Sequence, residues 1–128
     1  MRDRPSAAEL LEQARAVLLA ELLEDLPAEK RYTGLMVASA MAIAMRECAA
    51  GDRPLHAELT GLSNYYDDTS TESADGASVE QALVRLNRRL AADLRGGRAD
   101  GDPTVFSLLR RVAIDKLRES NPRALPPE

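Results

Sequence analysis

The sequence predicts an all-α fold, a single helical bundle of four main helices plus one short helix, with the second helix at its centre. Three observations predict it. Apolar residues recur at three- and four-residue spacing over long stretches, helix-capping residues stand at the ends of those stretches, and no segment alternates with comparable strength at the period of a strand. Nearly half of the residues are apolar, mostly Ala and Leu, and the only aromatics are Tyr32, Tyr65, Tyr66 and Phe106. That composition favours helices. A chain of 128 residues is expected to form one domain, 1–128, burying roughly two-thirds of its unfolded surface.

The first helix opens at Ser6, which with Glu9 makes a capping box: the hydroxyl accepts from the Glu9 amide and the carboxylate reaches back to the Ser6 amide. Ala7, Leu10, Leu11, Ala14, Val17, Leu18 and Leu22 supply its apolar stripe, with Glu9, Glu12, Gln13 and Glu24 opposite. Pro27 ends it near Leu26.

The second helix, from about Lys30 to Ala50, carries apolar residues on more than one face. Val37, Met41, Met45 and Cys48 form one stripe, while Met36 and Ile43 point elsewhere. Such a helix must be covered on two sides, by its own chain or by a second copy, so a homodimer is an open expectation. Gly34, Ala38 and Ala42 repeat every fourth residue, a line along which a neighbouring backbone can approach closely. Gly51 is the expected cap.

Asp52 and Pro54 open a short helix whose Leu55, Leu59 and Leu62 share a face. From 63 to 78 the chain is rich in Ser, Thr, Asp and Gly, holds Asp67, Asp68, Glu72 and Asp75 without a basic residue, and reads as an acidic loop. Ser78 with Gln81 makes a second capping box, followed by Val79, Leu83, Leu86, Leu90 and Leu94 at alternating four- and three-residue steps. Gly96 and Gly97 stop this fourth helix. Asp102 and Pro103 start the last helix, with Val105, Phe106, Leu109, Val112, Ala113 and Leu117 as its stripe; Asn121 and Pro122 end it, leaving 121–128 as a tail.

Composition excludes several functions. A single cysteine, Cys48, cannot form an internal disulfide, and Met1-Arg2-Asp3-Arg4 ahead of an amphipathic segment does not read as a signal peptide. A cytoplasmic location is expected. The uncharged run from Tyr32 to Met45 is shorter than the roughly 20 residues that cross a bilayer, so no membrane association is expected. Net charge is −4, and no aromatic residues interleave with the arginines to stack bases, so nucleic acid is not an expected partner.

Candidate chemistry is sparse. His56, the only histidine, stands at a helix start, where a solvated or capping role fits better than that of a base or ligand lacking partners. One His and one Cys do not make a zinc site, and no glycine-rich phosphate loop follows a strand. Tyr65, Tyr66, Asp67 and Asp68, with Glu72 and Asp75, match no calcium loop. No catalytic residue, cofactor or metal site is assigned, and the chain is read as a non-enzyme.

Residues 85 to 123 hold 10 basic and 5 acidic residues, against 7 and 15 in residues 1 to 84. Arg85, Arg88 and Arg89 lie on the polar face of the fourth helix, and Arg110, Arg111 and Arg118 on that of the fifth. Should those faces adjoin, they would hold an anion or an acidic partner. Arg46, Glu47 and Asn87 are candidates for polar contacts between helices.

The segments Arg4 to Glu12, Met36 to Glu47, Leu86 to Leu90 and Val112 to Arg123 resemble a bacterial family of uncharacterised small helical proteins, a domain of unknown function. The shared pieces are Arg46-Glu47, Asn87-Arg88, Lys116-Leu117 and Asn121-Pro122; Ser39 stands where the resemblance would place an Asn. Family members accompany aminoglycoside-phosphotransferase-like kinases and acyl-CoA dehydrogenases. The resemblance therefore implies an accessory or protein-interaction domain working beside such an enzyme; a binder of a phosphate-bearing or CoA-like ligand is the alternative.

Overall fold

The computed structural model describes residues 4–71 and 76–126, and every regular element among them is helical. Ser6 caps α1 (Ala7–Val17) through the capping box, with its amide donating to Glu9 Oε2 at 2.6 Å and its Oγ accepting from the Glu9 amide at 3.3 Å. The helix does not run on regularly. It widens into a π-helical turn at Leu18–Leu22 and ends in a short α2 (Leu23–Asp25). A π turn inserts one extra residue and rotates everything beyond it. The half-buried positions up to Leu26 are Ala8, Glu9, Leu11, Arg15, Leu18, Leu19, Leu23 and Leu26; Leu22 in the π turn is exposed, and so are Leu10 and Val17 of the expected stripe ahead of it.

After Pro27 follow α3 (Ala28–Ala50), closed by Gly51 at φ +58°, then α4 (Arg53–Tyr66), α5 (Gly76–Arg95) and α6 (Pro103–Ser120), with 3₁₀ turns at Thr69–Thr71 and Pro122–Ala124. The chain divides into two compact units, one reaching to Gly51 and including the residues from Leu117 on, the other Asp52–Lys116.

In the first unit, α1 and α3 pack along the small-residue line of α3. Gly34 and Ala38 are buried, and a Cβ on Gly34 would lie 2.9 Å from Cδ1 of both Leu23 and Leu26. Arg15 Nε donates to the Ala38 carbonyl at 3.0 Å across the same contact. Within its own unit α3 is covered along this small-residue line. Small residues let the backbones approach, but they turn the large apolar side chains of α3 away from the contact, so Tyr32, Met36 and Ile43 are 73, 53 and 37% exposed. Met41 is half-buried.

The large-residue core belongs to the second unit: Leu59 and Leu62 of α4, Val79, Leu83, Leu86 and Leu90 of α5, Ala99 of the connection, and Val105 and Leu108 of α6. Gly61 leaves the gap into which Leu108 fits, for a Cβ there would stand 2.5 Å from Leu108 Cδ1. On α6 the buried stripe is thus Val105 and Leu108; Phe106, expected inside, is 69% exposed and Leu109 is exposed too.

The acidic loop is shorter than the sequence suggests. Ser63 to Tyr66 form the last turn of α4, because Tyr66 stands four residues beyond Leu62 on the same helical face and packs on the core with Tyr65. The chain reverses at Asp67, whose φ is +52°, and α5 begins at Gly76, before the expected Ser78 start. Glu72 and Asp75 lie outside the described residues.

Candidate functional site

In the second unit, two tyrosine–carboxylate pairs join the C-terminal end of α4 to the last turn of α5 and to the α5–α6 connection. Tyr66 Oη donates to Asp93 Oδ2 at 2.7 Å and Tyr65 Oη to Asp102 Oδ2 at 3.1 Å, the two rings meeting edge to face. The Arg98 fork donates to Asp93 through Nε at 2.8 Å and through Nη2, and the Arg89 guanidinium lies 4.0 Å over the Tyr66 ring. Asp102 also accepts the Thr104 amide at 2.8 Å, capping α6.

Proton affinities follow from these contacts. Hydrogen bonds from Tyr66 and then Arg98 lower the Asp93 pKa, and the Thr104 amide leads in lowering that of Asp102. Burial, reinforced by Asp93, raises Tyr66 to about 12, and burial with Asp102 raises Tyr65. A carboxylate more acidic than usual and a phenol more basic than usual are both poor proton carriers near neutrality. The cluster therefore reads as an electrostatic fastening of the unit.

The α5 arginines are partly committed to the same fastening. Arg85 Nη1 pairs with Asp68 Oδ2 at 2.7 Å and its Nη2 donates to Ser70 Oγ at 3.4 Å. The hydrogen bonds of Ser70, then of Arg85, lower Asp68 to about 2. Arg88 is exposed, and with Glu80, Gln81, Val84 and Arg85 it lines an open groove of about 530 Å³ along α5. Arg110 and Arg111 are exposed on α6, while Arg118 falls in the first unit. Asn87 Nδ2 donates to Glu58 Oε1 at 2.7 Å, tying α5 to α4. His56 is exposed in the first turn of α4. Among the described residues no group of three or more His, Cys, Asp or Glu could hold a metal ion.

In the first unit, arginines of α3 satisfy carbonyls at two helix ends. Arg31 donates to the Leu26 and Glu24 carbonyls, each at 3.3 Å, and Arg46 Nε to the Glu119 carbonyl at 2.6 Å, with Nη2 3.5 Å from that of Ser120. Those carbonyls have no partner further along their helices, and a cation there also meets the negative end of the helix dipole. Glu47 is exposed. Between Arg31 and Arg46 α3 has no charge, and its outward line of Tyr32, Met36, Ser39, Ile43 and Glu47 is solvent-facing. By length and composition alone this 23-residue helix could cross a membrane.

Sequence reasoning placed Tyr65 and Tyr66 in a loop and passed over Arg15, Arg31, Asp93 and Arg98. The four-residue step from Leu62 to Tyr66 was the signal available for the tyrosine. Residues 24–124 match the model of a family described as a domain of unknown function, DUF6285. No curated protein and no solved structure matches the chain.

Proposed function

We propose, for a chain that belongs to the family of domain of unknown function DUF6285, a non-catalytic role: an accessory domain that works by protein contact, with the outward face of α3 as the contacting surface. The carrying observation is that face, uncharged over Tyr32 to Met45 and lined by the exposed Tyr32, Leu35, Met36 and Ile43. Contiguous apolar surface of this kind marks interaction sites in proteins. The partner class that the resemblance implies is a phosphotransferase-like or acyl-CoA dehydrogenase-like enzyme of the same bacterial cytoplasm. Co-expression with such enzymes tests the reading. Affinity capture should succeed with the wild-type chain and fail with Met36→Glu; capture of neither enzyme class, or capture that Met36→Glu leaves unchanged, overturns it.

A second reading takes the α5 groove, with Arg85 and Arg88 on its wall, as a seat for a phosphate-bearing or CoA-like ligand. Such a ligand would compete with Asp68 for Arg85. A ligand that binds only the folded chain raises its melting temperature by mass action, so flat melting curves across acyl-CoAs and nucleotides exclude this reading.

A further inference from the structure

We propose that the outward face of α3 is covered by a second copy of this chain, the two α3 helices lying antiparallel about a two-fold axis that passes between Ser39 and Ala40. The proposal rests on reading α3 as a protein-contacting face and names its occupant; an enzyme partner then meets the dimer.

The first unit supplies the driving force. Its helical hairpin buries only Gly34 and Ala38 among the described residues of α3, and two helices joined by small residues leave most of their apolar surface in water. Tyr32, Met36, Ser39, Ile43 and Glu47 follow one another at three- and four-residue steps, so they share one line on the helix. A matching line from an identical helix covers it by 3–4 packing, the geometry of antiparallel helix pairs.

Register and direction follow from the order of residues on that line. With the axis between Ser39 and Ala40, two small residues stand where the helices come closest. Met36 of each copy meets Ile43 of the other, and Tyr32 meets Glu47. The phenol can donate to the carboxylate, and that carboxylate sits beside the N-terminal turns of the facing α3, where the helix dipole is positive. Both contacts occur twice, as an isologous interface requires. A parallel pair would set Glu47 against Glu47 and align the dipoles unfavourably.

The size of the face sets the strength. It offers only a handful of exposed side chains per copy, fewer than the roughly 20–30 residues that each partner brings to a standard interface. A concentration-dependent dimer with micromolar dissociation is expected. A membrane surface is the competing occupant, since the ends of α3 carry Lys30, Arg31 and Arg46 beside Glu29 and Glu47; charge does not separate the two, and vesicle flotation does.

Sedimentation equilibrium of the full chain across the micromolar range tests the proposal. The wild-type chain should pass from one chain's mass to two. Met36→Glu, at an exposed position that folding does not depend on, should keep the wild-type far-UV circular dichroism and weaken association roughly 10-fold or more, since it buries an unpaired carboxylate. Oxidative crosslinking fixes direction. In the antiparallel pair the two Cys48 side chains stand roughly 25 Å apart along the axis at 1.5 Å rise per residue, so wild-type chains should not crosslink. Ser39→Cys in a Cys48→Ala background should give a covalent dimer.

A monomer at every concentration, a dimer indifferent to Met36→Glu, efficient Cys48 crosslinking, or flotation of monomer with vesicles of phosphatidylcholine and phosphatidylglycerol would each overturn the proposal. A monomer whose enzyme capture is still lost on Met36→Glu removes only the second copy. A chain in which Met36→Glu alters neither sedimentation nor capture removes the contact-face reading as well.

Discussion

Arg46 reaches from the last turns of α3 to the final carbonyls of α6, its Nε 2.6 Å from the Glu119 oxygen. The contact is partly shielded from water, and the oxygen it fills has no partner within its own helix. Arg46→Ala is therefore expected to cost about 1–3 kcal/mol, the range for leaving a polar group without its partner. Chemical denaturation reads the loss, and amide exchange should quicken at Asn121, whose N–H closes the end of α6 onto the Leu117 carbonyl.

Leu108 and Phe106 stand two residues apart on α6 and should respond oppositely to truncation. Leu108, 5% exposed, packs over Gly61, whereas Phe106 is 69% exposed. Leu108→Ala should cost about 2–5 kcal/mol by transfer and cavity formation. Phe106→Ala should stay within about 0.5 kcal/mol of wild type. Urea midpoints of the two variants check the contrast.

Two glycines should resist substitution for different reasons. Gly61→Val thrusts a branched side chain into Leu108, and an overpacked core of this kind typically costs about 1–3 kcal/mol. At Gly51 a Cβ meets nothing within 4 Å, but φ is +58° with ψ −146°, a conformation left almost entirely to glycine, so Gly51→Ala costs about 1–3 kcal/mol through the backbone alone. Adding the truncation Leu108→Ala should rescue Gly61→Val in part and leave Gly51→Ala unchanged. A double-mutant cycle in urea separates them.

Tyr66→Phe removes the hydroxyl donated to Asp93 and keeps the ring beneath Arg89. The expected cost is about 1 kcal/mol, the net worth of one hydrogen bond in a setting still open to solvent. Spectrophotometric titration should show the wild-type ring ionising near 12, well above the usual 10.0.

Acid should loosen the second unit in a defined window. Asp68 is held at about 2 against an ordinary 3.8, so the folded chain binds this proton more weakly than the unfolded one. Its contribution is complete above about 4 and is lost as pH falls from there toward 2; Asp93 and Asp102, also lowered, act in the same sense. Tyr66 has the opposite sign, and its contribution is lost between about 10 and 12. Melting temperatures from pH 5 down to 2 test this: Asp68→Asn should show a shallower fall than wild type.

Where a single apolar stripe had no rival, the sequence was sufficient. The steps from Val79 to Leu90 carried no competing line, and the structure buries all four leucines and valines named there that precede Leu94. On α6, Val105-Phe106 and Leu108-Leu109 offer two neighbouring stripes; what selects Leu108 is the space above Gly61, on another helix. On α3 several apolar lines compete, and the winning contact uses the smallest residues, a choice that depends on the shape of α1. The match to a domain of unknown function covers 24–124, so of the segments that carried the resemblance Arg4 to Glu12 falls outside it. Of the candidate surface, the α5 arginines were legible as a polar face. Their partners were not, because Asp68 and Tyr66 come to them only through the reversal at Asp67.

The helix-end contacts of Arg31 and Arg46 are made to main-chain oxygens. Any amino acid supplies the same oxygen at the same place, so residues 24, 26 and 119 can drift in identity while the joints they form persist. Variation in this unit should consequently concentrate on the recipients and spare the two donors, a pattern that comparison of many relatives can reveal without a further structure.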